Sequence, residues 1–144
     1  MLRTLSILGL VLMAGGLLGL WATHSLFSAQ PVVIGVQVGA VALVLWARVT
    51  FGKRSFHAAA NPTAGGLVTT GPYRYIRHPI YTAACLFGLP GILAHLSWRS
   101  AGLGLLLVAG GLIRMLCEER LVVQAYPEYR EYASTTKRML PGLF

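Results

Sequence analysis

Residues 5–26 of the chain read LSILGLVLMAGGLLGLWATHSL, a stretch without any formal charge. A helix that spans a membrane needs about 20 predominantly apolar residues, so this stretch is long enough to span. Outward along the chain, three further apolar stretches occupy residues 31–50, 79–98 and 101–117. We therefore predict an all-α, polytopic integral membrane protein with four transmembrane helices and a C-terminal helical segment, residues 118–144, on the cytosolic face.

The composition excludes an ordinary water-soluble domain. Of the 144 residues, 56% are hydrophobic and 11% are charged, whereas a typical soluble domain has about 25% charged residues. Intrinsic disorder is excluded by the same values, because disordered chains have few apolar residues and many charges. We expect one membrane domain over residues 1–144, with the connection 52–78 as a loop.

The positions of the charges predict the orientation. The 12 Lys and Arg residues outnumber the four acids, for a net charge of +8. Only Arg3 is charged within residues 1–47, whereas residues 48–77 contain five basic residues. Short basic loops of membrane proteins face the cytoplasm, so both termini and the loop 52–78 are expected there. The positive charge then indicates contact with anionic lipid headgroups and not with nucleic acid.

The first apolar stretch has an alternative interpretation as a cleaved signal peptide, because Arg3 precedes it and the small residues Ser28 and Ala29 follow. The stretch is longer than the apolar core of a usual signal peptide, and Phe27 is unfavourable three residues before a cleavage point. We therefore favour a retained transmembrane helix.

The two cysteines, Cys85 and Cys117, lie within or at the edge of apolar stretches and lack the spacing of metal ligands. We expect neither a structural disulfide nor a metal site.

Polar groups near membrane depth are costly and are therefore functional candidates. Arg114 and Glu118 are four residues apart and face the same side of a helix, and Glu119 adds a second carboxylate. A structural ion pair is the alternative. Two carboxylates beside one Arg could hold a cationic amine, a ribose, or a substrate carboxylate that pairs with the Arg.

A second candidate stretch, residues 71–81, reads GPYRYIRHPIY and lies where the predicted cytosolic loop meets the third span. Such a basic and aromatic stretch is often only an interfacial belt. However, Pro79 is well tolerated at a helix start, which leaves His78 at the entrance of the span to bind a polar group. The Gly-rich stretch that precedes it could let the backbone approach a ligand closely.

These motifs, taken in their order, resemble the isoprenylcysteine carboxyl methyltransferase family, which is related to the phospholipid N-methyltransferases. The resemblance extends from Gly65 to Pro141. It is carried by Gly66-Leu67-Val68-Thr69-Thr70-Gly71-Pro72-Tyr73, Arg77-His78-Pro79-Ile80-Tyr81, Arg114, Glu118-Glu119, Tyr129-x-x-Tyr132, Arg138 and Pro141. A compact prokaryotic member, in the cell or inner membrane, fits the short chain.

The resemblance implies an integral membrane methyltransferase that uses S-adenosylmethionine, releases S-adenosylhomocysteine and methylates a lipophilic small molecule or lipid. By matching motif positions, Arg114 would meet the methyl acceptor, and Glu119 would be the base if the acceptor is an amine. The residues implied to bind the cofactor are Gly65, Gly66, Leu67, Val68, Tyr73, His78, Pro79, Ile80, Tyr81 and Glu118. Gly65 stands where eukaryotic members have a His, so it could contribute only through its backbone.

Three alternatives remain open. A phospholipid or amine N-methyltransferase belongs to the same superfamily. A four-helix transporter would need a carboxylate in an early span, and no acid precedes Glu118. A non-enzymatic scaffold would leave the clustered Arg, His and Glu residues without a role.

Overall fold

The computed structural model describes residues 1–52 and 66–144, and in these two ranges it is helical, without a β-strand. An isolated parallel bridge joins Ile76 to Lys137. The helices are α1 (Leu2–Ala22), α2 (Pro31–Phe51), a 3-10 turn (Gly71–Arg74), α3 (Pro79–Ala94), α4 (Trp98–Ala125) and α5 (Tyr129–Thr135).

Within the described residues, three helices are long and apolar enough to cross a membrane: α1, α2 and α4. The described residues are all-helical, as predicted, with three candidate membrane-spanning helices, whereas the count of four spans stays a prediction. Helix α3 has 16 residues, or about 24 Å at 1.5 Å per residue, which is shorter than a hydrocarbon core of about 30 Å.

Two predicted spans extend past the ends of the observed helices. Helix α1 ends at Ala22 rather than at Leu26, because the backbone leaves the helical region at His24, whose φ is +54°. Helix α3 ends at Ala94 rather than at residue 98. There Ser97 and Ser100 form a reciprocal capping box that starts α4 at Trp98.

Helix α4 also continues beyond the predicted end at residue 117, to Ala125. Charged residues end an apolar stretch, but they do not end a helix when their charges are paired. Glu118 pairs with Arg114 one turn earlier, and Glu119 pairs with Arg77 and Arg138 from other segments. The first eight residues of the predicted C-terminal segment therefore belong to α4.

Glycines bring α1 and α4 into backbone contact. A Cβ on Gly16 would lie 2.8 Å from Leu103 O and from Leu107 N, and a Cβ on Gly9 would lie 2.8 Å from Gly110 O. Gly110 faces α1 in turn. Only residues without a side chain allow such an approach, which is how small residues let helices associate in membranes.

The other pair, α2 and α3, is joined by a buried amide. Gln37 Nε2 donates to Leu26 O at 2.8 Å and to Phe87 O at 2.9 Å. This side chain links α2 to the α1–α2 connection and to α3. The apolar core around it consists of Leu20, Leu26, Ile92 and Leu107.

The packing gathers the polar motifs at one end of the bundle. Helix α1 packs on α4, α4 on α3, and α3 on α2. The start of α1, the end of α2, the start of α3 and the C-terminal part of α4 lie together at that end. Contacts across it include Arg114 with Ser6 O and the Phe51 ring with the Tyr73 ring. The tight turn between α3 and α4 lies at the opposite end, where His95 Nε2 is 2.9 Å from Phe27 O.

Candidate functional site

The first polar cluster is built from Arg114, Tyr81 and Glu118, and we name it the Arg114 cluster. Arg114 Nε donates to the Tyr81 hydroxyl at 2.8 Å, and that hydroxyl donates to Glu118 Oε1 at 2.6 Å. Arg114 Nε also lies 3.3 Å from Glu118 Oε1. Arg114 is 7% exposed, and a buried charge needs a partner. The partly exposed carboxylate of Glu118 balances it.

Helix α1 completes the surroundings of this cluster. Arg114 Nη1 donates to the buried backbone carbonyl of Ser6 at 3.4 Å. The close approach at Gly9 brings α1 near enough, because a Cβ there would lie 3.0 Å from Arg114 N. The guanidinium is thus held by three helices: α1, α3 and α4.

The second cluster is centred on Glu119 and is named the Glu119 cluster; its other members are Arg77, His78, Arg138 and Tyr129. Arg77 Nε donates to Glu119 Oε1 at 2.9 Å, and His78 Nε2 lies 3.2 Å from the same oxygen. Arg138 Nε donates to Oε2 at 3.0 Å. The Tyr129 hydroxyl donates to Oε1 at a longer 3.4 Å. Both carboxylate oxygens are therefore engaged.

Residues 129–140, which we call the C-terminal strap, lie against residues 73–82. Arg77 N donates to Lys137 O at 2.8 Å, and His78 N donates to Arg138 O at 2.9 Å. The strap is secured further along by Thr82 Oγ1, which donates to Met139 O at 2.9 Å. Two backbone hydrogen bonds in succession place the strap beside the entrance of α3.

Side chains add contacts at both ends of this interface. The Tyr132 hydroxyl donates to Tyr73 O at 2.5 Å. Arg77 Nη1 donates to Ala133 O at 3.0 Å and also to Thr136 O. Arg77 thus bonds to the strap backbone and to Glu119 simultaneously.

The tyrosines of this interface are held in their neutral form. Burial raises the pKa of Tyr132 to about 12, although the Arg77 charge acts in the opposite direction. Burial, and next the negative charge of Glu118, raise the pKa of Tyr73. Burial and the charge of Glu119 do the same for Tyr129. Neutral hydroxyls can donate, as Tyr132 does to a carbonyl.

The structure brings most of the predicted site residues to one end of the bundle. His78 is the N-cap residue of α3, and Pro79 and Ile80 are the first residues of that helix. The confirmed start of α3 at Pro79 leaves the His78 ring next to Tyr81, with 5.7 Å between the ring centroids.

The predicted Gly-rich part of the site is only partly described. Gly65 lies outside the described residues, whereas Gly66, Leu67 and Val68 are partly buried and without regular structure. Gly66 has φ +82°, which favours glycine, and no atom of the described chain lies within 4 Å of the position of a Cβ. Among the described residues, apart from its chain neighbours, none lies where a Cβ of residue 66 would stand.

Two residues that contact the site were not predicted from the sequence: Ser6 and Thr82. Ser6 accepts a hydrogen bond from Arg114 through its backbone carbonyl. Every residue has such a carbonyl, so the sequence does not indicate this contact. Thr82 donates to Met139 O, 57 residues later in the chain. The indication for Thr82 in the sequence is its position one helical turn after His78. In the described ranges, no group of three or more His, Cys, Asp or Glu side chains is arranged to hold a metal ion.

The sequence of this chain is similar to those of known proteins. The model of the isoprenylcysteine carboxyl methyltransferase family matches residues 33–124, well over half of the chain. The cobalt-zinc-cadmium resistance protein CzcN of Cupriavidus metallidurans is 36% identical over 80 residues, which cover 54% of this chain and 36% of CzcN. The chain thus spans about a third of the length of that relative. No solved structure matches. The family match covers the Arg114 cluster and the His78-Pro79 entrance, and the chain belongs to the isoprenylcysteine carboxyl methyltransferase family.

Proposed function

We propose that this protein is an integral membrane methyltransferase that uses S-adenosylmethionine and methylates a carboxylate on a lipophilic acceptor. The single observation that carries the proposal is the Arg114 cluster: a buried guanidinium at the end of an apolar helix pair, contributed by residues within the family match. Methyltransferase chemistry is the property of that family.

The residues at this end fit the chemical groups of the cofactor. Glu118 is a partly exposed carboxylate that can accept hydrogen bonds from an ammonium group or from ribose hydroxyls. The His78 ring lies next to Tyr81, which binds Glu118, and Gly66 has a backbone amide and no side chain that would keep a ligand away. When bound, S-adenosylmethionine supplies a methyl group already activated on a sulfonium. The protein has to bind, align and exclude water.

A carboxylate is the acceptor that the geometry supports best. Arg114 can orient a carboxylate through its planar guanidinium, and a carboxylate needs no base to act as nucleophile. An amine acceptor would need a base, and the predicted base Glu119 has both oxygens engaged by Arg77, His78 and Arg138. N-methylation is therefore the second candidate.

The distribution of basic residues supports a cytosolic location for the site. Most basic residues of the described chain lie at the end of the bundle that carries the two clusters, including Arg3, Arg48, Arg74, Arg77, Arg120, Arg130, Lys137 and Arg138, whereas Arg99 lies at the opposite end. By the positive-inside rule the clusters face the cytosol, as do both termini. The cofactor would then enter from the cytosol and the lipophilic acceptor from the bilayer.

The proposal is tested with purified protein in lipid nanodiscs, labelled S-adenosylmethionine and a bacterial lipid extract, followed by mass analysis of the methylated products. We expect a labelled methyl ester, which base hydrolyses. A label stable to base would indicate N-methylation, and no label with a folded protein would overturn the proposal.

The role of Arg114 is tested separately by Arg114→Ala, with Arg120→Ala as matched control because Arg120 is exposed on the same helix. We expect Arg114→Ala to lower methyl transfer by at least about a hundredfold, since it removes a buried charged partner. The affinity for S-adenosylhomocysteine, measured by calorimetry, should fall far less. Equal loss of both quantities would contradict an acceptor-binding role.

A further inference from the structure

We propose that Glu119 is a positioning residue: its carboxylate pins the C-terminal strap, residues 129–140, against residues 73–82, and thereby orients His78 at the entrance of the site. The effect on cofactor binding rests on the proposed function. The pinning itself is independent of it.

Both oxygens of the Glu119 carboxylate are already engaged. Glu119 Oε1 accepts from Arg77 and faces His78 and Tyr129, while Oε2 accepts from Arg138. The side chain is 12% exposed. A carboxylate surrounded by two guanidinium groups has its negative charge balanced already, so abstracting a proton from a substrate would require these partners to leave.

The partners of Glu119 come from separate parts of the chain. Arg77 and His78 precede α3, Arg138 belongs to the strap, and Glu119 lies in α4. One carboxylate thus joins three segments that are separated by about 20 to 40 residues along the chain. Among the described residues, no other acid pairs with more than one cation.

The residues that approach Glu119 also make the backbone contacts with the strap. Arg77 N and His78 N donate to Lys137 O and Arg138 O. The two residues that approach Glu119 through their side chains are therefore the two that hold the strap through their main chain. Removing the Glu119 charge leaves two arginines facing each other, which should loosen both sets of contacts.

Glu118 provides the contrast. Its carboxylate contacts Tyr81 and a single arginine, and it is 26% exposed. Successive residues of a helix are turned by about 100°, so the two acids face different neighbours. Glu118 thus faces the proposed cofactor and acceptor site, whereas Glu119 faces the strap.

The test measures amide hydrogen exchange of peptides that cover residues 129–140, in nanodiscs without cofactor or acceptor. Glu119→Gln keeps the shape of the side chain and removes its charge. We expect exchange in the strap to rise at least about tenfold, because charge-assisted hydrogen bonds are lost. The matched control is Glu131→Gln, an exposed acid on α5, which should leave exchange unchanged. Unchanged exchange in Glu119→Gln would overturn the proposal.

A double-mutant cycle guards against general misfolding. Arg138→Gln alone should also raise exchange in the strap. When Arg138→Gln is added to the Glu119→Gln variant, the further rise should be less than half of the rise that Arg138→Gln causes in the wild type, because both substitutions break the same contact. Additive effects would overturn a direct coupling of the two residues.

Enzymatic readouts separate a positioning residue from a base. With Glu119→Gln we expect weaker S-adenosylhomocysteine binding, and a kcat at saturation within a few-fold of wild type with an unchanged pH profile. If Glu119→Gln lowers kcat but leaves S-adenosylhomocysteine binding and amide exchange in the strap unchanged, Glu119 is the base and the proposal is overturned. If the wild type transfers no methyl group, the proposed function fails, while hydrogen exchange still decides whether Glu119 pins the strap.

Discussion

Glu118 and Glu119 follow one another in α4, yet their carboxylates bind different parts of the protein. Glu118 accepts from the Tyr81 hydroxyl at 2.6 Å, whereas Glu119 accepts from Arg77 at 2.9 Å and from Arg138 at 3.0 Å. The first contact belongs to the proposed site and the second to the strap. Two adjacent acids therefore bind separate parts of the protein.

Replacing the tyrosine that bridges Arg114 and Glu118 should impair methyl transfer. Tyr81→Phe removes the hydroxyl that accepts from Arg114 and donates to Glu118. We expect at least about a tenfold fall in kcat/KM, because two hydrogen bonds to charged groups are lost. The control is Tyr75→Phe, since Tyr75 is 57% exposed and should be neutral. Equal activity of both variants would contradict the role of Tyr81.

A methyl group between α1 and α4 should destabilise the protein. A Cβ at position 16 would meet the backbone of Leu103 and Leu107 at 2.8 Å. We expect Gly16→Ala to cost about 1–3 kcal/mol, measured by thermal unfolding in detergent. Gly15→Ala is the control, because no described atom lies within 4 Å of that Cβ. An unchanged Tm for Gly16→Ala would show that the helices can separate without cost.

Loss of the buried amide should weaken the contact between α2 and α3. Gln37→Leu leaves the Leu26 and Phe87 carbonyls without the Gln37 donor. We expect a loss of about 1–3 kcal/mol in the free energy of unfolding. Gln124→Leu, at an exposed position of α4, serves for comparison, and similar stabilities of the two variants would argue against the bridge.

The hydrogen bond from Tyr132 of the strap to Tyr73 O should depend on pH only in strong alkali. Its pKa is raised to about 12 from an ordinary value of about 10. A folded pKa above the unfolded value contributes stability that is complete below about pH 10 and is lost as the pH rises through 12. Docking should thus be constant from about pH 7 to 9.

The measurement is a tyrosinate absorbance titration of wild type and Tyr132→Phe. The difference between the two curves should show ionisation near pH 12. Ionisation of Tyr132 near pH 10 would mean that its side chain is not buried against residues 73–82.

The glycines illustrate what the sequence could predict about packing. Gly15, Gly16 and Gly19 stand close together in the first apolar stretch, and such small residues permit close approach of helices in membranes. The structure places Gly16 against the backbone and Gly19 against the Leu103 side chain of α4, whereas Gly15 faces no described neighbour. Which glycine lies in the interface depends on the rotation of α1 relative to α4, and many rotations would bury similar apolar side chains.

The end of α4 illustrates the same difference at the candidate site. The charged residues predicted that the fourth span ends at residue 117. Helix α4 instead continues to Ala125, because Arg77 and Arg138 from two distant segments pair with Glu119. The sequence by itself determined the membrane class, the start of α3 at Pro79 and the set of candidate polar residues, because apolar length and local motifs are encoded in neighbouring residues. Only the tertiary structure decided which acid faces Tyr81 and which faces the strap, since each carboxylate takes the partners that packing brings within hydrogen-bond distance.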